Sequence, residues 1–369
     1  MSTTESQAIR QWVSAPGGSC DVRAGAGVIE SCGRSLATLV GKPRLCALVS
    51  TPEVDEGLVE RLRRQLTDGG FEVRKVTVAA GPDSRTLEAQ ATLFNDLREA
   101  HVTADDLVMA VGDVDALSAA CNASALWCSG VPFVAVALDL EAMLEVALTP
   151  RGLAVAGDDD MVSCGAFCRV LLCDADVMDL DLASERTRHG LAIMAATAMA
   201  ENENTFSRLW DCADEIAAGE KSVLIEEAVD ILKARGRLAS STAIAVRQSL
   251  GFGQTFVRAL SRLVPEAERS VLLAEALRFS ARLSAGMGQL SVDDVLAQDE
   301  LLETLGLGEL AADVEPEAMV DALKSERFLR TNRFLLALPQ VIGRVRLSSV
   351  PDDLLAEHAG AFCDAHRAS

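Results

Sequence analysis

Apolar residues fall into two rhythms along this chain. In the first half, short unbroken apolar runs alternate with stretches in which apolar positions recur every three or four residues. Arg44-Leu45-Cys46-Ala47-Leu48-Val49-Ser50 is such a run, the pattern of a strand covered on both faces. Leu58, Val59, Leu62 and Leu66 follow at helical spacing, and Gly69-Gly70 supplies a stop. Residues 71–78 alternate as a strand, and the loop Ala79-Ala80-Gly81-Pro82-Asp83 leads into a helix over 86–100. Two more buried strands are predicted at 106–112 and 132–137. This β-α-β-α order predicts a mostly parallel sheet with helices on both faces and a ligand crevice at the carboxyl ends of the strands.

Beyond about residue 180 only the helical rhythm remains, with helices expected over 186–203, 221–235, 244–264 and 268–286. Arg333-Phe334-Leu335-Leu336-Ala337-Leu338 reads as a returning strand. Asp-rich sequence at 174–183 separates the halves. The expected organisation is an α/β domain over 1–178 and a mostly α-helical domain over 179–369.

Composition narrows the function. Over 369 residues, 49% are hydrophobic, so packed cores are expected rather than disorder. A net charge of −21 disfavours nucleic acid and anionic membrane surfaces, which are bound by excess Lys and Arg. No apolar run reaches the ~18–20 residues of a spanning helix, and the polar start Met1-Ser2-Thr3-Thr4-Glu5-Ser6 leads to no signal-peptide core. A cytoplasmic protein is the expectation. The ten Cys form no CxxC pair and many lie within apolar segments, as buried reduced thiols do. His358, Cys363 and His366 match no zinc spacing and read as a frayed tail.

The motif Leu250-Gly251-Phe252-Gly253-Gln254-Thr255-Phe256-Val257-Arg258-Ala259 changes the picture. It resembles L-N-x-G-H-T-x-G-H-A, the metal-site helix of the dehydroquinate synthase family. Other segments agree in order. Gly81-Pro82-Asp83-Ser84-Arg85-Thr86-Leu87-Glu88 resembles G-E-x-x-K-s-l-e, and Gly130-Val131-Pro132-Phe133-Val134 resembles R-G-[IV]-P-F-[IV]. Gly165-Ala166-Phe167 is similar to G-A-F. Met319-Val320-Asp321-Ala322-Leu323-Lys324 is similar to M-x-x-D-K-K, and Ile342-Gly343 to I-G. The resemblance implies an N-terminal Rossmann-like parallel sheet followed by an α-helical C-terminal domain. It also implies homodimers formed through the first domain. The family's enzyme converts a seven-carbon sugar-acid phosphate to dehydroquinate in the shikimate pathway. It uses tightly bound NAD for a transient oxidation and zinc to polarise the reacting centre.

The chain departs from the family where that chemistry resides. The three metal-ligand positions carry over to Ile193, Gln254 and Arg269, a hydrocarbon, a neutral amide and a guanidinium. The dinucleotide turn G-G-G-V-V-G-D corresponds to Gly112-Asp113-Val114-Asp115-Ala116-Leu117-Ser118. It keeps one glycine and gains Asp113 and Asp115 where pyrophosphate would sit, with Ser118 ending the turn. Cationic positions survive at Arg85, Arg151, Arg247 and Lys324, a candidate residual site for a small anion. Neither NAD nor zinc is expected to bind. The reading is a non-catalytic family member, retained as a homodimer, as the partner of an active paralogue, or as a weak anion binder. The alternative is a divergent active synthase or related cyclase with metal ligands relocated to His189, Glu185, Glu201 or Glu203.

Overall fold

The computed structural model describes residues 8–30, 32–42 and 44–367. The chain forms two compact units, residues 1–180 and 181–369. The first runs β1 (Ile9–Ala15), β2 (Gly18–Gly25), α1 (Cys32–Val40), β3 (Leu45–Ser50), α2 (Glu56–Asp68) and β4 (Glu72–Thr77). It continues through α3 (Leu87–Glu99), β5 (Leu107–Gly112), α4 (Val114–Leu126), β6 (Phe133–Ala137) and α5 (Leu140–Glu145). It closes with β7 (Leu153–Val155), β8 (Asp158–Val162) and β9 (Val170–Asp174).

Seven strands make one sheet in the order β1-β2-β9-β6-β5-β3-β4. All neighbours are parallel except β1, which pairs antiparallel with β2 as a hairpin. The unbroken apolar runs are the central strands, because both of their faces are covered: every residue of β5, β6 and β9 is buried. The helical-period positions Leu58, Val59, Leu62 and Leu66 pack against Cys46, Leu48, Met109 and Val134 in one core. Asp55 caps α2 by accepting the Leu58 N–H at 2.8 Å.

The second unit is α6 (Glu185–Glu201), α7 (Glu203–Ala217), α8 (Lys221–Ala239), α9 (Ile244–Arg247), α10 (Gln254–Leu263), α11 (Arg269–Gly286), α12 (Val292–Thr304) and α13 (Pro316–Arg330). It ends with β10 (Leu336–Val341), β11 (Arg344–Ser348) and α14 (Asp352–Ala365). The helix expected over 244–264 is broken. Gly253 adopts φ +76, and a Cβ there would meet Leu273 at 2.9 Å and Ala276 at 3.2 Å, so α10 begins afresh where it presses on α11. The expected returning strand is β10, which pairs with β11 in a separate two-stranded sheet. The frayed tail is corrected as well. Residues 352–365 form α14, and the Phe362 ring packs edge-on against Phe256 and Phe279. Of the ten cysteines, seven are buried, Cys128 and Cys164 are exposed and Cys212 is half-buried; none is in a disulfide. No helix among the described residues is long and apolar enough to cross a membrane.

Gly343 gives a direct test of packing. It has φ +82, and a Cβ would lie 2.4 Å from the Asn202 backbone. Gly343→Ala is expected to lower stability by roughly 2–4 kcal/mol, from left-handed strain plus overlap that backbone cannot relieve. Gly157→Ala, at φ +87 but facing open space, should lose only about 1–2 kcal/mol. Urea unfolding midpoints of the two variants separate these costs.

Candidate functional site

The sheet has a topological switch beside β3, which is flanked by β4 on one side and β5 on the other. Open α/β sheets bind ligands in the crevice at the carboxyl ends of such strands. Gly112 ends β5 there, and α4 starts two residues later. Four N–H groups at the start of a helix lack intrahelical partners and carry partial positive charge, which is why phosphates settle at such places.

Here the chain supplies its own anion. Asp113 is the N-cap of α4: one carboxylate oxygen accepts the Ala116 N–H at 2.8 Å, and the other accepts the Gly81 N–H at 3.0 Å from the turn after β4. The carboxylate is buried and ties two turns of the crevice together. Asp139 does the same for α5, accepting the Ala142 N–H at 2.7 Å.

Asp115, in the first turn of α4, organises a second layer. Its Oδ1 accepts Arg85 Nε at 2.7 Å and Arg151 Nη1 at 3.1 Å. Arg85 also donates to the Gly152 carbonyl at 2.7 Å and reaches Asp160 at 3.2 Å and Asp159 at 3.3 Å. Arg151 donates through Nε to Glu145 at 2.8 Å and through Nη2 to Glu141. Two guanidiniums thus meet five carboxylates. Arg85, Asp115 and Arg151 are only 3%, 7% and 7% exposed. Ser118 is fully buried; its Oγ donates to the Val114 carbonyl at 2.6 Å and accepts the Arg151 N–H at 3.1 Å. Burial pushes the Asp115 carboxyl up, but the charges and hydrogen bonds of Arg151 and Arg85 outweigh it and hold the group below the usual range. Burial also opposes the Arg151 charge, and Glu145, Glu141 and Asp115 more than restore it.

Arg85 and Arg151, the first two positions of the candidate anion site, are thus both engaged within the chain. Their forks are filled by the chain's own carboxylates, and an added anion would enter a cluster with surplus negative charge. Arg247 lies on α9 in the second unit and donates to the Ser241 carbonyl at 2.5 Å; Lys324, on α13, pairs with Asp352 at 2.9 Å. Sequence spacing gave no sign of the Arg85 pairings, because the partners lie 30 to 75 residues away. The Asp-Asp-Asp run at 158–160 is the one sequence signal of a cationic partner there.

The residues at the family's metal positions do not suit a cation. Ile193 is buried in α6, and Gln254 is half-buried as the first residue of α10. Arg269 is exposed at the start of α11. Two of the alternative ligands, Glu185 and Glu201, are engaged by other side chains. Glu185 accepts the Ser270 N–H at 2.8 Å and its hydroxyl at 2.5 Å, and Glu201 accepts Arg237 Nε at 2.7 Å and Thr205 Oγ1 at 2.6 Å. His189 is buried within α6, and Glu203 is exposed on the first turn of α7. No cluster of three or more His, Cys, Asp or Glu side chains suited to a metal occurs among the described residues. At the turn after β5 the Asp113 carboxylate occupies the Ala116 N–H of the first turn of α4, and Asp115 adds a second negative charge beside it.

The architecture, a Rossmann-like sheet unit followed by a helical unit, is that of the sugar phosphate cyclases. 2-Deoxy-scyllo-inosose synthase, solved with carbaglucose-6-phosphate, NAD+ and Co2+, superposes with a TM-score of 0.80 at 15% identity over 95% of this chain and 99% of that chain. ValA, a 2-epi-5-epi-valiolone synthase from Streptomyces hygroscopicus subsp. jinggangensis 5008 with NAD+ and Zn2+ bound, gives 0.76 at 17% identity over 94% and 97%. In sequence, the 3-dehydroquinate synthase of Caulobacter vibrioides is 27% identical over 329 residues, covering 82% of this chain and 84% of the relative. That of Rhizobium johnstonii is 26% identical over 358 residues, covering 93% of each. No family model matches the chain. The chain thus resembles 3-dehydroquinate synthases in sequence over most of its length and shares its fold with the solved cyclases.

Asp115→Asn should cost roughly 1.5–3 kcal/mol, because two charge-assisted hydrogen bonds weaken while Asp159, Asp160, Glu141 and Glu145 still face the guanidiniums. Since the folded carboxyl titrates below its unfolded value of about 3.9, its stabilisation is present above about pH 4 and is lost as pH falls through the depressed folded value. Unfolding free energies measured from pH 7 to pH 3 should therefore drop less steeply at the acid end in the variant than in the parent.

Proposed function

We propose that this chain is a non-catalytic member of the dehydroquinate synthase-like family, kept for its scaffold. The observation that carries this reading is the Asp113 carboxylate, bonded to the Ala116 and Gly81 N–H groups where the fold would present them to a dinucleotide. Without NAD there is no hydride acceptor for the transient oxidation. Without a metal the reacting centre loses the several kcal/mol of charge stabilisation that a Lewis acid supplies. Ile193, Gln254 and Arg269 offer no replacement.

The scaffold's remaining use is as a cytoplasmic protein partner, either of a second copy or of an active paralogue with an intact metal site. The carboxylate-filled forks of Arg85 and Arg151 count against a role as anion binder. The competing reading, an active synthase of aromatic amino acid biosynthesis with displaced ligands, needs donors that Glu185 and Glu201 do not leave open.

Two measurements test the proposal. Purified protein supplied with NAD, zinc or cobalt, and the seven-carbon sugar-acid phosphate should form no dehydroquinate above the protein-free control. Steady turnover that tracks the protein through purification would refute the non-catalytic reading. Sedimentation should show a dimer, or co-purification from the native cell a homologue with intact motifs; a lone monomer in both would remove the partner role.

A further inference from the structure

The first unit has a second concavity, at the opposite end of the sheet from Asp113. Phe133 opens β6 and Arg169 immediately precedes β9, so both mark the amino ends of their strands. Between them and the end of α4 lies a cavity of about 350 Å³. Ala125 and Cys121 from α4, Val131, Phe133 and Phe167 supply its apolar walls, and Ser129 and Arg169 its polar ones. This is the size and lining of a small-molecule site with few polar groups.

The charged group is Arg169. Its guanidinium lies 5.9 Å from the centre of the Phe167 ring, and among the described residues it takes no carboxylate partner. Most of the other guanidiniums on this unit pair with acids, in a chain of net charge −21. Its backbone is fixed on both sides. The Arg169 N–H donates to the Phe133 carbonyl at 2.8 Å, and its carbonyl accepts the Asp21 N–H at 2.9 Å. Phe167 is seated by a glycine: a Cβ on Gly18 would fall 2.8 Å from its Cζ.

The rim is held in an unfavourable conformation. Cys128 and Ser129 have φ of +49 and +64, and Gly130 follows at +118. Two successive non-glycine residues in the left-handed region cost about 1–2 kcal/mol each. The turn is pinned by Trp127, whose indole N–H donates to the Val102 carbonyl at 2.9 Å and whose ring stacks on Phe94. The Val131 N–H closes it on the Ser124 carbonyl at 2.8 Å. Such strain collects at binding sites because it shapes a wall that relaxed backbone would not provide.

We propose that this pocket binds a small aromatic carboxylate, with the ring lying among Phe167, Phe133 and Val131 and the carboxylate on the Arg169 fork. A planar guanidinium recognises a carboxylate through two parallel N–H donors, and the apolar walls favour a flat ring over a hydrated sugar acid. The site is independent of the crevice at Asp113 and of whether the chain catalyses anything.

Calorimetric titration of the full chain with 2-naphthoate tests this. Saturable binding of one equivalent is expected, weakened at least roughly tenfold for acetate and for 2-naphthalenemethanol, which lack the ring and the charge respectively. Arg169→Gln, at an exposed side chain, should weaken 2-naphthoate by at least about tenfold. Ala125→Leu, which fills the cavity and leaves the cation in place, should do likewise. Melting temperatures matching the parent confirm that both variants are folded. No saturable heat with the parent, or binding that both folded variants retain, would overturn the proposal.

Discussion

Asp113 and Asp115 place two carboxylates on the opening turn of α4, and the chemistry of the first unit follows from where that charge sits. A helix amino end at a switch point is a prepared anion site. Asp113 fills it from within, and by also bonding the Gly81 N–H it joins the turns after β4 and β5. Asp115 then requires counter-charge in a buried setting, and Arg85 and Arg151 provide it. Once those forks are spent on Asp115, Glu141, Glu145, Asp159 and Asp160, neither is open to a phosphate. A buried ion cluster of this kind adds little net stability over apolar packing, but it is costly to break in part. The carboxylates and guanidiniums therefore hold one another in place.

What persists of the family's motifs is the part that packs. Gly253 is kept because α10 presses on α11 there and because the backbone is left-handed. Ala259 is fully buried, and Gly343 lies against the Asn202 backbone. The positions that have changed within the same motifs, Gln254 and Arg258, are half-buried and serve no such close approach. Packing positions and ligand positions respond to different physical demands, so a chain can shed one set and keep the fold.

Much of this architecture was legible in the sequence, for identifiable reasons. Unbroken runs such as residues 45–50 are strands because both faces of a parallel sheet are covered. The spacing of Leu58, Val59, Leu62 and Leu66 marked one buried helical face. Tertiary contacts hid the rest. The 244–264 pattern is helical throughout, yet the chain turns at Gly253, whose backbone is left-handed. The β1–β2 hairpin and α14 gave only short or ambiguous patterns. At the site, the residue types at the motif positions, such as Ile193, Gln254 and Arg269, were readable one by one. The pairing of Arg85 was not, since its acids lie 30 to 75 residues away, and Asp115 reaches Arg151 from 36 residues away. The same limit applies to Arg169, whose missing partner is visible only in three dimensions.

Whether the turn after β5 admits a dinucleotide decides between a scaffold and an enzyme. Calorimetric titration of the purified chain with NAD+ asks this directly. A self-capped helix carrying Asp113 and Asp115 predicts no saturable heat up to millimolar NAD+. Stoichiometric binding, or NAD+ released on denaturing the protein as isolated, would contradict it.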